Sequence, residues 1–159
     1  MPVATRIDPV LSHNFLISFV DSSSILTEIP AGITTQPAAG FSECTGLELT
    51  MPPEEYKEGG RNGCVLKFPN RVTWSNLILK RGITADPSLW QWHYAFVQGR
   101  GQRRDGMIVL QDDERSPIRI WHFRRGLPVK WTGPALHGSQ NSVAIETLEI
   151  AHEGLQLDQ

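Results

Sequence analysis

Histidines, cysteines and clustered carboxylates are the side chains in this chain that could carry chemistry, and their spacing argues against each use. His13, His93, His122, His137 and His152 fall at no interval that sets two imidazoles on one helix face for a metal. His93 sits within an apolar helical stripe and reads as a packed residue. Cys44 and Cys64 are the only cysteines, too few for a disulfide-stapled domain and without close metal-ligand spacing, so free buried thiols are expected. Gly138-Ser139 before Gln140 is as near as the chain comes to a Gly-x-Ser-x-Gly nucleophile turn, and it is no match. Gly99-Arg100-Gly101 lacks the rest of a dinucleotide fingerprint. Gly59-Gly60-Arg61-Asn62-Gly63 lacks the Lys-Ser/Thr of a phosphate loop, and both read as turns. Glu54, Glu55 and Glu58 do not converge for acid-base work, because neighbouring strand residues point to opposite faces. No enzyme activity, cofactor or metal is expected.

One basic concentration remains: Arg100, Arg103, Arg104, Arg119, Arg124 and Arg125, interleaved with Trp121 and Phe123. Acidic residues flank it at Asp112, Asp113 and Glu114, and the chain's net charge is -2. That balance gives no bulk field for nucleic acid or an anionic membrane. These arginines are read as facing carboxylates of an adjoining copy. Trp74, Trp90, Trp92, Trp121 and Trp131 are core fillers or interface anchors.

The elements that position these groups read as mainly β. At 159 residues the chain suits a single domain over 1–159. Eleven prolines and fourteen glycines punctuate short apolar runs, as many strands and turns require. Arg6, Asp8 and Pro9 break any secretory leader, and no apolar run reaches the ~20 residues of a spanning helix, so a soluble product made in the cytoplasm is expected. After an extended arm to Ser12, a strand over Asn14–Val20 places Phe15, Ile17 and Phe19 on one face. The 21–40 segment is loop-rich and long for a compact domain, with Ile25, Leu26, Ile29 and Ile33 available to dock. Strands are expected over Phe41–Thr50, bending at Gly46, and over Asn70–Lys80, with a glycine-tipped hairpin around Gly59–Gly63 between them.

One helix follows, capped by Thr84 or Asp86, with Pro87 in its first position and a stripe of Leu89, Trp90, His93, Phe96 and Val97. Asp105-Gly106 reads as a tight turn, Met107–Leu110 and Ile118–Phe123 as short strands, and Leu127–Leu136 with Val143–Leu155 as a closing pair. In that last strand the apolar phase slips between Ile145 and Leu148. Either it bulges near Glu146-Thr147, or it is covered on both faces, as at a subunit contact.

Read in order, several stretches resemble the tail-tube proteins of contractile-tailed phages and, more closely, the inner-tube proteins of phage-like extracellular contractile injection systems. They are Phe41-Ser-Glu-Cys-Thr-Gly-Leu-Glu, Glu55-Tyr-Lys-Glu-Gly-Gly-Arg-Asn, Leu77-Ile-Leu-Lys-Arg-Gly, Leu89-Trp-Gln-Trp, Trp121-His-Phe, Pro128-Val-Lys-Trp-Thr-Gly-Pro and Glu146-Thr-Leu-Glu-Ile-Ala-His-Glu-Gly-Leu. The resemblance spans about residues 13–155. It implies a β-sandwich or barrel-like domain with one flanking helix and an extended hairpin. Such subunits form six-fold rings that stack into a hollow tube, which a contracting sheath drives through a target envelope with cargo in its lumen. The implied partners are further copies and the sheath, spike and baseplate proteins of the same particle, with no nucleic acid outside a true phage tail and no membrane anchor.

By position, the channel-lining and inter-subunit role falls to the hairpin and to the strands at 43–50 and 72–80, with Glu43, Thr45, Glu55, Lys57, Gly59, Gly60, Asn62 and Lys80 as candidates. Arg103, Arg104, Arg124 and Arg125 are candidates for inter-subunit charge contacts. Channel-facing positions should then be polar. The 21–40 insertion departs from the family pattern and keeps open a tube initiator next to the baseplate. A monomeric β-sandwich ligand-binding module is the alternative from another class.

Overall fold

The structure, a computed structural model, describes residues 11–21, 40–60, 63–139 and 141–158. The expected N-terminal arm up to residue 10, the body of the 21–40 insertion, and Asn62 lie outside the described residues.

Among the described residues, eleven strands and one helix follow in chain order: β1 (Phe15–Asp21), β2 (Phe41–Thr45), β3 (Leu49–Thr50), β4 (Pro53–Tyr56), β5 (Leu66–Pro69), β6 (Thr73–Trp74), β7 (Leu77–Gly82), α1 (Ser88–Val97), β8 (Arg104–Gln111), β9 (Pro117–Thr132), β10 (Ile145–Ala151) and β11 (Leu155–Asp158). One seven-stranded antiparallel sheet runs β1-β8-β9-β10-β7-β2, with β11 added beside β9. The first part of β9 pairs with β8 and β11, and its last part with β10. This one strand therefore serves two halves of the sheet. Ile17, Ile108 and Phe123 from one half meet Leu77, Leu79, Leu148 and Ile150 from the other in a single core, onto which α1 presses Leu89 and Trp92. The result is the sandwich-like β fold with one flanking helix that the sequence leads one to expect.

Residues 117–132 form one 16-residue strand where two were expected. Arg125, at φ 52°, takes the bend without ending the strand, and its backbone N–H donates to Asp105 Oδ1 at 2.7 Å. Asp105-Gly106 is likewise strand and not turn. A Cβ at Gly106 would overlap the Phe123 ring, so the glycine there makes room for the aromatic centre of the core.

The phase slip in β10 has a different cause from both expected ones. Glu146, Leu148 and Ile150 all point inward with unbroken alternation, and Ile145 is on the outer side. The apparent slip arises because a carboxylate occupies a core position. Arg81, opposite it on β7, donates from Nε to Glu146 Oε1 at 2.6 Å, and Trp131 donates from Nε1 to Glu146 Oε2 at 2.9 Å. Arg81 and Glu146 are only 1% and 5% exposed. The one register shift in β10 lies later, between Glu149 and Ile150 against β9. Nor does the strand run to Leu155: it stops at Ala151, and β11 turns back onto β9, with Asp158 Oδ2 2.6 Å from His122 Nε2.

The helix begins one residue later than expected, with Pro87 as its cap residue and Ser88 its first turn. Asp86 still supplies the capping chemistry: Ser88 donates to it from its backbone N–H at 3.1 Å and from its hydroxyl at 2.6 Å. Arg81 ties the same residue to the core, donating to the Asp86 carbonyl at 2.9 Å and to Oδ2 at 3.3 Å. Leu89 and Trp92 are the buried residues of the helix, with Phe96 half-buried beside them. Trp90 and Val97, expected inward, are exposed because Trp92 takes the inward position and donates its indole N–H to the Gln102 carbonyl at 2.8 Å.

Removing one partner of a buried ion pair strands the other. Glu146→Gln should therefore lower unfolding free energy by about 3–5 kcal/mol in chemical denaturation, whereas Lys80→Ala at the half-exposed Glu43 pair should cost about 0.2–1 kcal/mol. The Asp86 carboxyl is held below the ordinary carboxylate range, first by the Ser88 hydroxyl. A depressed acid stabilises above its unfolded-state value and loses that contribution as pH falls through its folded value. The stability gap between the parent and Asp86→Ala should accordingly shrink between about pH 5 and about pH 2 in acid melts.

Candidate functional site

Antiparallel pairing sets the outer face of the β9-β10-β7-β2 half in two rows. Thr132, Thr147, Lys80 and Glu43 lie in register in one, and Lys130, Glu149, Ile78 and Thr45 in the other. The Lys80 ammonium lies 2.9 Å from Glu43 Oε1, and Asn76 Nδ2 donates to Glu149 Oε1 at 2.8 Å. One side of this half thus faces the core, and the other is largely polar, with Thr132, Thr147, Thr45 and the Lys80–Glu43 pair around a single apolar residue, Ile78. Beyond β2 the sheet has no further strand among the described residues, which leaves a row of ladder groups open.

From that edge the chain leaves as an arm. Gly46, at φ 93°, turns it out of β2, and a Cβ there would overlap the Asn76 carbonyl oxygen, so only glycine lets the two strands of the arm cross this closely. The expected Asn70–Lys80 strand breaks at Ser75-Asn76 for the same reason. Its first part, β6, pairs with β3 in the arm, and its second part, β7, enters the main sheet. His152 Nε2 donates to the Ser75 carbonyl at 3.0 Å and its ring lies 6.1 Å from that of Trp74, which fastens the arm's base to β10's end. Farther out, β4 pairs only with β5. Leu49, Met51, Tyr56 and Phe68 are all exposed along this arm.

The candidate residues divide between these two surfaces. Glu43, Thr45 and Lys80 come together on the outer face. Glu55, Lys57, Gly59 and Gly60 are exposed in the arm, with Glu55 directly opposite Lys67. Among the arginines, Arg103 and Arg125 converge on Glu153 Oε1 of their own chain, at 3.0 and 3.1 Å. Arg104 lies over the Trp92 ring at 5.2 Å, and Arg124 is exposed. Among the described residues no group of histidines, cysteines and carboxylates could hold a metal ion, and no helix is long and apolar enough to cross a membrane. A cleft of about 200 Å³ beside α1 is lined by Ser88, Gln91, Trp92, Ala95, Arg100, Gln102 and Arg104.

A family model described as T4-like virus tail tube protein gp19 matches residues 11–156. The chain belongs to this tail tube family. Chains similar to this tail tube protein occur in a number of solved structures, among them three from contractile particles. One is in the six-fold symmetrised cryo-EM structure of the anti-feeding prophage baseplate, at 27% identity and TM-score 0.80, covering 96% of this chain and 97% of that one. Another is in the extended sheath-tube complex of the PVC extracellular contractile injection system, at 20% identity and TM-score 0.74, covering 94% and 91%. A third is in the cap that terminates the anti-feeding prophage tube, at 17% identity and TM-score 0.79, covering 99% and 95%. No protein of curated function matches the sequence.

Sequence reading missed Thr147, Glu149, Lys130 and Thr132 on this tail tube protein's polar face. The signal was present as alternation along β10, but it shows only once Glu146 is placed inward. The cysteines also correct an expectation: Cys44 is half-buried while Cys64, near the arm's tip, is exposed. Burial pushes the Cys44 thiol up to about 11. A maleimide at neutral pH should therefore label Cys64 rapidly in the native protein and Cys44 only after unfolding, read by mass spectrometry of digested protein.

Proposed function

We propose that this chain is the repeating subunit of the inner tube of a contractile injection system or phage tail. It is made in the cytoplasm and forms stacked hexameric rings around a hollow lumen, inside a sheath whose contraction drives the tube through a target envelope. The carrying observation is the outer face of β9-β10-β7-β2: it is largely polar with Lys80 paired to Glu43, it backs directly onto the core, and among the described residues it ends at an open strand edge. A wall of a water-filled channel needs that combination, and pairing each open edge with the next copy removes the exposed ladder. Membership of the tail tube family and the similarity to a chain of a six-fold symmetrised baseplate support the ring. Protein cargo would travel along the lumen, and neither catalysis nor nucleic acid enters this role.

A second reading has its own support. The similar chain at 27% identity belongs to a baseplate structure, whereas the one from a sheath-tube complex shares 20%. The protein would then form the first ring, joining tube to spike and baseplate.

Negative-stain electron microscopy of the protein expressed alone separates the two: long hollow tubes mark the shaft subunit and single rings that do not grow mark the initiator. A monodisperse monomer that stays so with baseplate components present would overturn both. Gly60 adopts φ 92°, a backbone state closed to proline. Gly60→Pro should therefore impair assembly more than monomer stability, and normal particles from it would remove the hairpin from the interface.

A further inference from the structure

The arm's outer ribbon is amphipathic in a specific way. Cross-strand register puts Glu54 opposite Phe68 and Tyr56 opposite Leu66 on one face, and Glu55 opposite Lys67 on the other. One face is thus an internally matched charge pair. The other carries two aromatic rings, a leucine and a carboxylate, with Tyr56 at 57% and Phe68 at 50% exposed. A two-stranded ribbon has no second layer of its own to cover such a face.

A complementary surface lies elsewhere on the molecule. Trp90, Tyr94 and Val97 occupy the side of α1 turned away from Leu89, Trp92 and Phe96, and all three are exposed. Trp90 and Tyr94 are stacked at 5.4 Å with their planes 15° apart, and Trp90 meets Trp131 edge-on at 4.7 Å. These rings hold one another in place, so a partner that covers them gains apolar burial without having to order them. Along the adjoining flank of the same helix runs the cleft that Arg100 and Arg104 line together with Gln91 and Ala95. An aromatic strip beside a basic cleft matches an aromatic ribbon face carrying an acid.

We infer that the Glu54–Tyr56–Phe68 face of one copy's arm docks on the Trp90–Tyr94 strip of a second copy, with Glu54 directed to the arginine side of that helix. This rests on the assembly reading above and names the two surfaces that meet. Within one copy α1 packs on β9 while β4 packs on β5. The contact joins unlike surfaces, so it propagates from copy to copy and does not close on a pair.

The test uses the full chain with Cys64→Ser, leaving the shielded Cys44 in place. Glu54→Cys and Gln91→Cys are combined and treated with a short bis-maleimide after assembly. A ladder of covalent multimers, absent from each single-cysteine control, is the expected result. In parallel, Glu54→Arg and Arg100→Glu should each raise the concentration needed for assembly by roughly tenfold, and the double reversal should recover most of it, with circular-dichroism melts of all variants unchanged. Assembled particles without a ladder, or reversals that assemble like the parent, overturn this contact while leaving the tube reading intact. If the Cys64→Ser parent forms no rings or tubes with baseplate components present, the tube reading itself fails and this inference falls with it.

Discussion

The buried Arg81–Glu146 pair is the constraint on which the rest of the architecture hangs. Two charges this deep in a protein persist only where every donor and acceptor is met. Arg81 spends its guanidinium on Glu146 and on both the carbonyl and carboxylate of Asp86, and Glu146's second oxygen takes the Trp131 indole N–H. One cluster thereby joins β7, β10, β9 and the entry to α1. A one-residue slip of β10 would send Glu146 to solvent and leave the guanidinium alone in the core, so the pair fixes the register. That register in turn sets which residues face out: with Glu146 inward, Thr147 and Glu149 must line the opposite side beside Lys80 and Glu43.

The molecule divides into a part that completes itself and a part that does not. The sandwich gathers its apolar side chains from both halves of the folded sheet and from one helix, and glycine at position 106 admits the Phe123 ring at its centre. Beyond its base, where Trp74 meets His152, the arm has hydrogen-bonded ladders but no second layer among the described residues, and Leu49, Met51, Tyr56 and Phe68 are exposed. Such surface is costly in a monomer and useful in a polymer, where adjoining copies supply the missing layer. The open edge of β2 makes the same demand in hydrogen bonds.

Much of this was legible in the residues. Gly46 announced the bend out of β2, the glycine cluster after Tyr56 announced the hairpin, and the Pro87 region announced the helix, because each depends on local backbone chemistry. What escaped depended on contacts distant in sequence. Asp105-Gly106 has the composition of a turn and is a strand, since its glycine answers to Phe123. The pattern through Glu146 reads as a slipped phase until Arg81 is found opposite it. The stripe read from the helix spacing put Trp90 inward, but Trp92 takes that place, its ring 5.3 Å from that of Phe19 and its indole N–H on the Gln102 carbonyl.

In the proposed role, the polar face of β9-β10-β7-β2 is the wall of a channel. A cryo-EM reconstruction of the assembled protein at side-chain detail tests it directly. Lys80, Glu43, Thr147 and Glu149 are expected on the inner surface, with β2 of each copy hydrogen-bonded to a strand of the next. Finding that face turned outward to a sheath, or packed dry against another ring, would contradict it.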